Sequence, residues 1–397
     1  MWPSRPFSEI VSDRTSGQKK LARKNFSETG RYPVIDQGRE FVSGFSDDES
    51  LLYTGNFPVV LFGDHTRELK FVDSPFILGA DGVKILEPKH SVEAKFLYYG
   101  LLNANVPANG YSRHFKFLKE LQILTPPRKI QRQIVDILDQ ADALRRKRRE
   151  ANALHDRILP ALFHRMFGDI ASTDCPWPML SLPECGIFVS GATPSKDDGR
   201  FWGGDVFWVT PKDMKVPAIH ESKIRTSATA LAETNLKLVD PGHILLVVRG
   251  MILARHVPVA INRAPVTINQ DMKAIRPIPD LEPEFLRSCL QVLESVILAR
   301  MGTAAHGTRK LGQEEMREIR IPVPPQNLQG EFSEVARSFE AGAPKRQKAT
   351  ENLETLFQTL LARAFDGRLF PDNVADARNA RSETDELLQE IETQSKP

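Results

Sequence analysis

The sequence predicts a mixed α+β chain: two duplicated globular halves, each followed by a long helix, with the two helices paired as a coiled coil. Three observations predict it. Residues 121–167 (LQILTPPRKIQRQIVDIL…ALFHRMF) align without a gap on residues 319–365 (IRIPVPPQNLQGEFSEVA…TLLARAF), at a constant offset of 198. Apolar residues in both copies recur at alternating steps of four and three. Short strand-like runs separated by turn residues fill the sequence ahead of each copy. An internal repeat sets the architecture before any local reading, and two repeats suit a pseudo-symmetric, two-headed molecule.

The expected division follows: a head at 1–125, a central helix at 126–169, a second head at 170–323, a distal helix at 324–368 and an acidic tail at 369–397. In the first head, FPVVLFG (57–63) and GVKILE (82–87) read as strands between Gly, Asp and Asn turn signals, and SVEAKFLYYGLLNAN (91–105) reads as a helix. In the second, FWVT (207–210), HILLVVRG (243–250) and PVAI (258–261) read as strands. PEFLRSCLQVLESVILARM (283–301) reads as one amphipathic helix. Weaker echoes in the same order tie the heads together: Trp2-Pro3 with Trp177-Pro178, 59–69 with 244–254, and 79–86 with 269–276.

In the central helix Ile130, Ile134, Ile137, Ala141, Leu144, Arg148, Ala151, His155, Ile158 and Leu162 form the expected seam. Leu328, Phe332, Val335, Phe339, Gly342, Arg346, Ala349, Leu353, Leu356 and Leu360 form it in the distal helix. A 3.5-residue repeat keeps one face toward a partner helix, and the simplest partner of each is the other. Two separate core helices are the alternative. Some 40 residues at 1.5 Å each make a rod of about 60 Å, comparable to roughly 18 base pairs of DNA. Pro-Pro at each start suits a first helical turn, where the missing N–H costs nothing. Pro160 and Pro344 lie inside the runs, and Gly342-Ala343-Pro344 is expected to bend or interrupt the distal helix.

Composition excludes more than it assigns. Nothing approaches the roughly 20 apolar residues needed to span a bilayer, and the amino terminus lacks an apolar signal core, so a cytoplasmic protein is expected. Cys175, Cys185 and Cys289 have no metal-ligand spacing and read as reduced thiols. The net charge of +2 does not announce a nucleic-acid binder, but its distribution is uneven. Residues 128–167 carry ten Lys/Arg against five Asp/Glu, whereas 371–397 carry three against seven. RRKRR (145–149) reads either as a phosphate contact or, preferably, as the solvated face of a coiled coil.

Catalytic motifs are missing. GTAAHGTR (302–309) has the glycine spacing of a phosphate loop but places Thr308 and Arg309 where Lys and Ser/Thr are required. No HExxH, GxSxG or Cys-His pairing occurs, and neither Pro-Pro pair stands in the Asn/Asp-Pro-Pro-aromatic setting of an adenine methyltransferase. Two polar loops are more suggestive. ANGYSRHFKF (108–117) offers Ser112, Arg113, His114 and Lys116, and GTAAHGTRKL (302–311) offers His306, Thr308, Arg309 and Lys310, at equivalent places in the two halves. Arg and Lys neutralise phosphates or donate to guanine, and the hydroxyls and imidazoles serve either purpose. An ordinary solvated loop is the alternative for each. Arg249 and Gln270, at strand-to-loop transitions, are further candidates.

The chain resembles the specificity subunits of type I restriction-modification systems from Trp2 to about Phe370. The resemblance rests on ILTPPRKIQRQIVDILD (123–139) and IPVPPQNLQGEFSEV (321–335), and on SGATPSKDDGRFWGGDVFWVTPKDM (190–214), PGHILLVVRG (241–250) and TINQDMKAI (267–275). The first head departs further from the family pattern, with GRYPVIDQG (30–38) in place of FWGGDVFWVT. The resemblance implies two target-recognition domains, each reading one half of a split asymmetric site in double-stranded DNA. Two antiparallel helices would fix the spacer and dock two modification (methyltransferase) subunits. It implies a non-catalytic chain without its own cofactor, S-adenosylmethionine residing on the modification partners, and restriction subunits able to join. A coiled-coil protein-binding adaptor, or a degenerate orphan copy without sequence-specific binding, is the alternative reading. Methylation or cleavage by the purified chain alone would identify an enzyme instead.

Overall fold

The computed structural model describes residues 2–79, 82–89, 91–104, 106–107, 113–303 and 308–370. The chain divides into two compact units: Met1–Glu150 with Gln347–Pro397, and Ala151–Arg346. The division cuts both long helices, so each unit holds one head and a part of each helix.

In the first unit a four-stranded antiparallel sheet has the spatial order Val11–Asp13, Val83–Pro88, Val59–Gly63, Leu69–Val72. Val59–Gly63 is buried throughout, as a continuous apolar run in a central strand must be. A smaller sheet has Tyr32–Ile35 between Gly44–Ser46, antiparallel, and Ile77–Leu78, parallel. Strand Ser4–Pro6 pairs with Gln122–Leu124 and clasps the two ends of the head. The helix expected at 91–105 is Ala94–Asn103, and it begins where the Glu93 carboxylate accepts from the amides of Lys95 and Phe96, both at 3.1 Å. Phe96, Leu97 and Leu101 pack into a core with Phe62, Leu86, Ile134, Leu138, Phe357 and Leu360.

The second unit repeats this plan. Its main sheet has the order Gly186–Ser190, Met272–Pro277, Ile244–Val247, Val259–Asn262, with Ala218–Ile219 added at the edge. Trp202–Val209 lies between Arg225–Thr226, antiparallel, and Val266–Ile268, parallel. Met179–Ser181 and Arg320–Pro322 make the clasp. The single helix expected at 283–301 is two, Pro283–Val292 and Glu294–Arg300, because Leu293 leaves helical geometry at φ −81°, ψ 7°. Leu286, Leu290, Leu293 and Ile297 all enter the core, so the buried face runs on across the break. The second unit also has a three-stranded ribbon, Arg249–Gly250, Arg309–Lys310 and Gly302–Thr303.

Both long helices form, at Arg128–Phe167 and Gln326–Phe365. The distal helix continues through Gly342-Ala343-Pro344, so of the bend or interruption expected there the interruption does not occur. Gly342 leaves space that a Cβ would contest, 2.6 Å from the Arg346 guanidinium, and Arg346 donates to the Phe339 carbonyl at 3.0 Å. In the second unit the rings of His155 and Phe339, and of Phe163 and Phe332, meet at 4.4 and 5.3 Å, so these helix segments run antiparallel. In the first unit the Arg145 guanidinium lies on the Phe357 ring and is bidentate to Glu354, at 2.9 and 3.0 Å.

The expected seam needs correction. Ile134, Ala141, Phe332, Leu353, Leu356 and Leu360 are buried, but Ala151, Ile158 and Val335 are exposed. Buried Leu138, Phe163 and Ala336 lie beside the expected positions. A straight α-helix drifts about 20° per heptad from a 3.5-residue repeat, so a seam read at a strict 3.5 moves off the true contact line. The first part of each helix instead turns residues 131, 134, 135 and 138, or 329, 332, 333 and 336, into its own unit's interior.

Candidate nucleic-acid interface

Each long helix is seated on its head by a buried glutamine. Gln131 accepts from the Glu93 amide at 2.8 Å and donates to the Ser91 and Pro126 carbonyls at 3.0 and 2.8 Å. Gln329 accepts from the Glu282 amide at 3.0 Å and donates to the Asp280 and Pro324 carbonyls at 3.0 and 2.8 Å. Around these matched seats the heads present different surfaces.

In the second head, short strands bring together candidates that are far apart in sequence. Arg249 lies opposite Lys310 and Gly250 opposite Arg309. Lys310 is exposed, and the exposed Arg249 guanidinium stands 3.9 Å from the Asp271 carboxylate. Arg309 is half-buried and donates to the Leu298 carbonyl at 3.3 Å. Leu298 is in the last turn of its helix, so that guanidinium meets the negative end of the helix dipole and braces the ribbon. Thr308 is half-buried at the start of this strand. Gln270 is exposed in a turn fixed by Asn269 and Asp271, where the Asp271 amide donates to the Asn269 side chain at 3.2 Å. The Gln270 side chain accepts from the Thr193 hydroxyl.

Two tryptophans hold the segment carrying Thr193. Trp208 Nε1 donates to the Ala192 carbonyl at 3.2 Å, and Trp202 Nε1 to the Ser195 carbonyl at 2.9 Å. Gly191 is required beside them, since a Cβ there would lie 1.9 Å from the Asn269 carbonyl oxygen. Thr193, Asp271 and Lys273, whose ammonium donates to the Ser190 hydroxyl at 3.1 Å, complete this polar face and were not singled out from sequence. The sequence signals were SGATPSK (190–196) for Thr193, short and hydroxyl-rich beside the tryptophan-bearing strand, and TINQDMKAI (267–275) for Asp271 and Lys273.

In the first head Arg113 and Lys116 are exposed, whereas Ser112 lies outside the described residues, as does His306 of the second loop. His114 requires a correction as a surface contact, being 1% exposed. Its backbone amide and ring Nδ1 both lie within 2.9 Å of the Asp64 carbonyl, and the Phe115 amide donates to the Asp64 carboxylate at 2.8 Å. His114 and buried Asp64 therefore lock the start of the short helix Phe115–Lys119, which carries Lys116. Arg67, at the tip of the hairpin joining Val59–Gly63 to Leu69–Val72, has φ 65° and donates to the Val106 carbonyl at 3.0 Å. Buried Lys70 donates to the carbonyls of Asp36 and Glu40 at 2.8 and 2.5 Å, tying down the loop between the first two strands of the smaller sheet. Burial pushes the Lys70 ammonium below the ordinary lysine range.

Of the basic run 145–149, Arg145 pairs with Glu354 of the other helix and with Asp142, and Arg146 pairs with Asp142 of its own helix at 3.3 Å, while Arg146, Lys147 and Arg149 are exposed. Among the described residues no cluster of His, Cys, Asp and Glu could hold a metal ion, and no helix is long and apolar enough to cross a membrane.

The family model for the type I restriction modification DNA specificity domain matches residues 6–153 and 177–350, once for each half. The chain is 26% identical over 357 residues to the type I restriction enzyme EcoR124I/EcoR124II specificity subunit of Escherichia coli, covering 84% of this chain and 86% of that one. It is 27% identical over 191 residues to the MjaIX specificity subunit of Methanocaldococcus jannaschii, covering 47% and 43% respectively. Its fold is similar to the crystal structure of a type I restriction-modification S subunit from M. genitalium, with a TM-score of 0.61 at 18% identity over 92% of this chain and 96% of that one. With both halves matched, and with duplicated heads seated on duplicated helices, this chain belongs to the type I restriction-modification DNA specificity family.

Proposed function

We propose that this chain is the DNA-specificity subunit of a type I restriction-modification complex, and that each head reads one half of a bipartite, asymmetric site. The observation that carries the reading is the contrast between matched seats and unlike surfaces. Gln131 and Gln329 bind the same backbone groups, while one head presents a basic ribbon and the other a hairpin and short helix. Partners that dock identically at two places while the DNA differs require that combination, because base contacts specify and phosphate contacts position.

On this reading the target-recognition domains are residues 1–125 and 170–323, and the helices at 126–169 and 324–368 take two modification subunits. The same scaffold leaves room for restriction subunits to join. The chain contributes recognition and no chemistry; S-adenosylmethionine and the methylation of adenine belong to the modification subunits. Its place is the cytoplasm, with the DNA. In the second head Arg249, Gln270 and Lys310 reach the DNA, with Thr308 and Arg309 supporting them. In the first, Arg113 and Lys116 do so beside Ser112, held by His114. Co-expression with the modification partner and sequencing of methylated DNA tests the proposal. A split asymmetric adenine motif supports it; assembly without any methylated motif favours the protein-binding adaptor.

A further inference from the structure

Met251 follows the ribbon strand Arg249–Gly250 and, at 74%, is the most exposed large apolar residue among those described. An unbranched apolar side chain left in water forgoes its burial, and here the backbone is specifically arranged to leave it there. Gly250 holds φ 144° and ψ 166°, a conformation essentially restricted to glycine, at the point where the strand gives way to the turn Met251–Ala254. That turn packs on the strand Arg309–Lys310. The adjoining apolar groove, between the helix Pro283–Val292 and the long-helix segments of this unit, takes in Ile252, Val216 and Val292 but not Met251. Among the described residues, Met251, with the less exposed Ile252 beside it at 44%, thus stands out next to ribbon strands whose exposed side chains Arg249 and Lys310 are cationic.

We infer that Met251 is a specificity-determining residue of the second head, which packs on the 5-methyl group of a thymine in the major groove while Arg249 and Lys310 hold the flanking phosphates. The inference rests on the proposed DNA-reading role of this head. Among the base edges exposed in the major groove, the thymine methyl is the apolar feature, and an aliphatic or thioether side chain is its complement. Cations on both sides supply the sequence-independent attraction that brings the methyl within reach.

The test uses the full complex with modification subunits and DNA duplexes carrying the motif found by sequencing. Each thymine of both half-sites is replaced in turn by deoxyuridine, which removes only the methyl. One replacement, in one half-site, is expected to weaken binding of the wild type about fourfold, the effect of losing one buried carbon. Met251→Ala is expected to bind that thymine site and its deoxyuridine counterpart equally, and Met251→Leu to restore the difference. Indifference of the wild type to every replacement, or undiminished sensitivity in Met251→Ala, overturns the inference and leaves the DNA-reading role standing. Loss of assembly with the modification subunits in Met251→Ala overturns it in favour of a protein contact. A complex that methylates no bipartite motif overturns the parent reading as well.

Discussion

Gln131 in one unit and Gln329 in the other each hold the same three backbone groups: the amide of Glu93 or Glu282, the carbonyl of Ser91 or Asp280, and the carbonyl of Pro126 or Pro324. Both side chains are at most 1% exposed. Leucine at either position would fill similar space but leave a buried amide and two carbonyls without that partner. Gln131→Leu and Gln329→Leu are each expected to cost about 2 kcal/mol, the usual penalty for stranding buried polar groups. Urea unfolding checks it; no change in midpoint would mean that water replaces the side chain.

The ion pair next to each seat is reversed in sign. Two residues past Glu93, Lys95 meets Asp139 at 2.6 Å; two past Glu282, Glu284 meets Arg337 at 3.3 Å, at the repeat-equivalent helix position. Lys95 and Asp139 are about a third exposed, so Lys95→Glu should cost only about 1 kcal/mol and Lys95→Glu with Asp139→Arg should recover most of it. Glu284 is 3% exposed and also meets Arg263 at 3.0 Å, so Glu284→Ala should cost more, about 2 kcal/mol, by breaking a buried ion-pair network in which Arg263 keeps only Glu340. A double-mutant cycle on each pair measures both. Equal costs in the two units would contradict the role given to burial.

Acid should loosen the second unit. Burial, and then the Arg346 cation, holds the His155 imidazole below its ordinary pKa, and burial does the same for His243. Between the lowered folded value and the ordinary value of 6.5, the unfolded chain binds more protons. Stability is therefore full above the ordinary value and falls as pH drops through that window. His155→Leu should flatten part of this dependence in urea titrations at successive pH values. An unchanged slope would remove His155 from the account.

The three thiols should separate cleanly. Burial raises Cys185 to about 12 and Cys289 well above the ordinary thiol range, whereas Cys175 is half-buried. Since the thiolate is the reactive form, one thiol per chain should react with a disulfide reagent in the folded protein and three after unfolding. Three fast-reacting thiols in the folded chain would contradict the buried positions.

The duplicated helices were legible because their repeat has no gap, and the apolar runs 57–63, 243–250 and 258–261 marked central strands. What escaped has physical reasons. The ribbon at Arg249–Gly250 and Arg309–Lys310 consists of two-residue strands, too short for any periodicity to register. His114 read as a surface group because its partner Asp64 lies 50 residues away in a different turn. Leu293 sits in an unbroken amphipathic pattern, so the helix break there left no trace. Ile158, exposed in the structure, fell on the expected seam because a 3.5-residue period was read onto a helix that turns every 3.6.

The central claim is that each head reads its own half-site. Sequencing of DNA methylated by complexes carrying Gln270→Ala, beside wild type, tests it most directly, because Gln270 is an exposed side chain of the second head able to contact base edges. The account predicts relaxed recognition in one half of the motif, with the other half and the spacer unchanged. Equal degradation of both halves, or an unaltered motif, would contradict it.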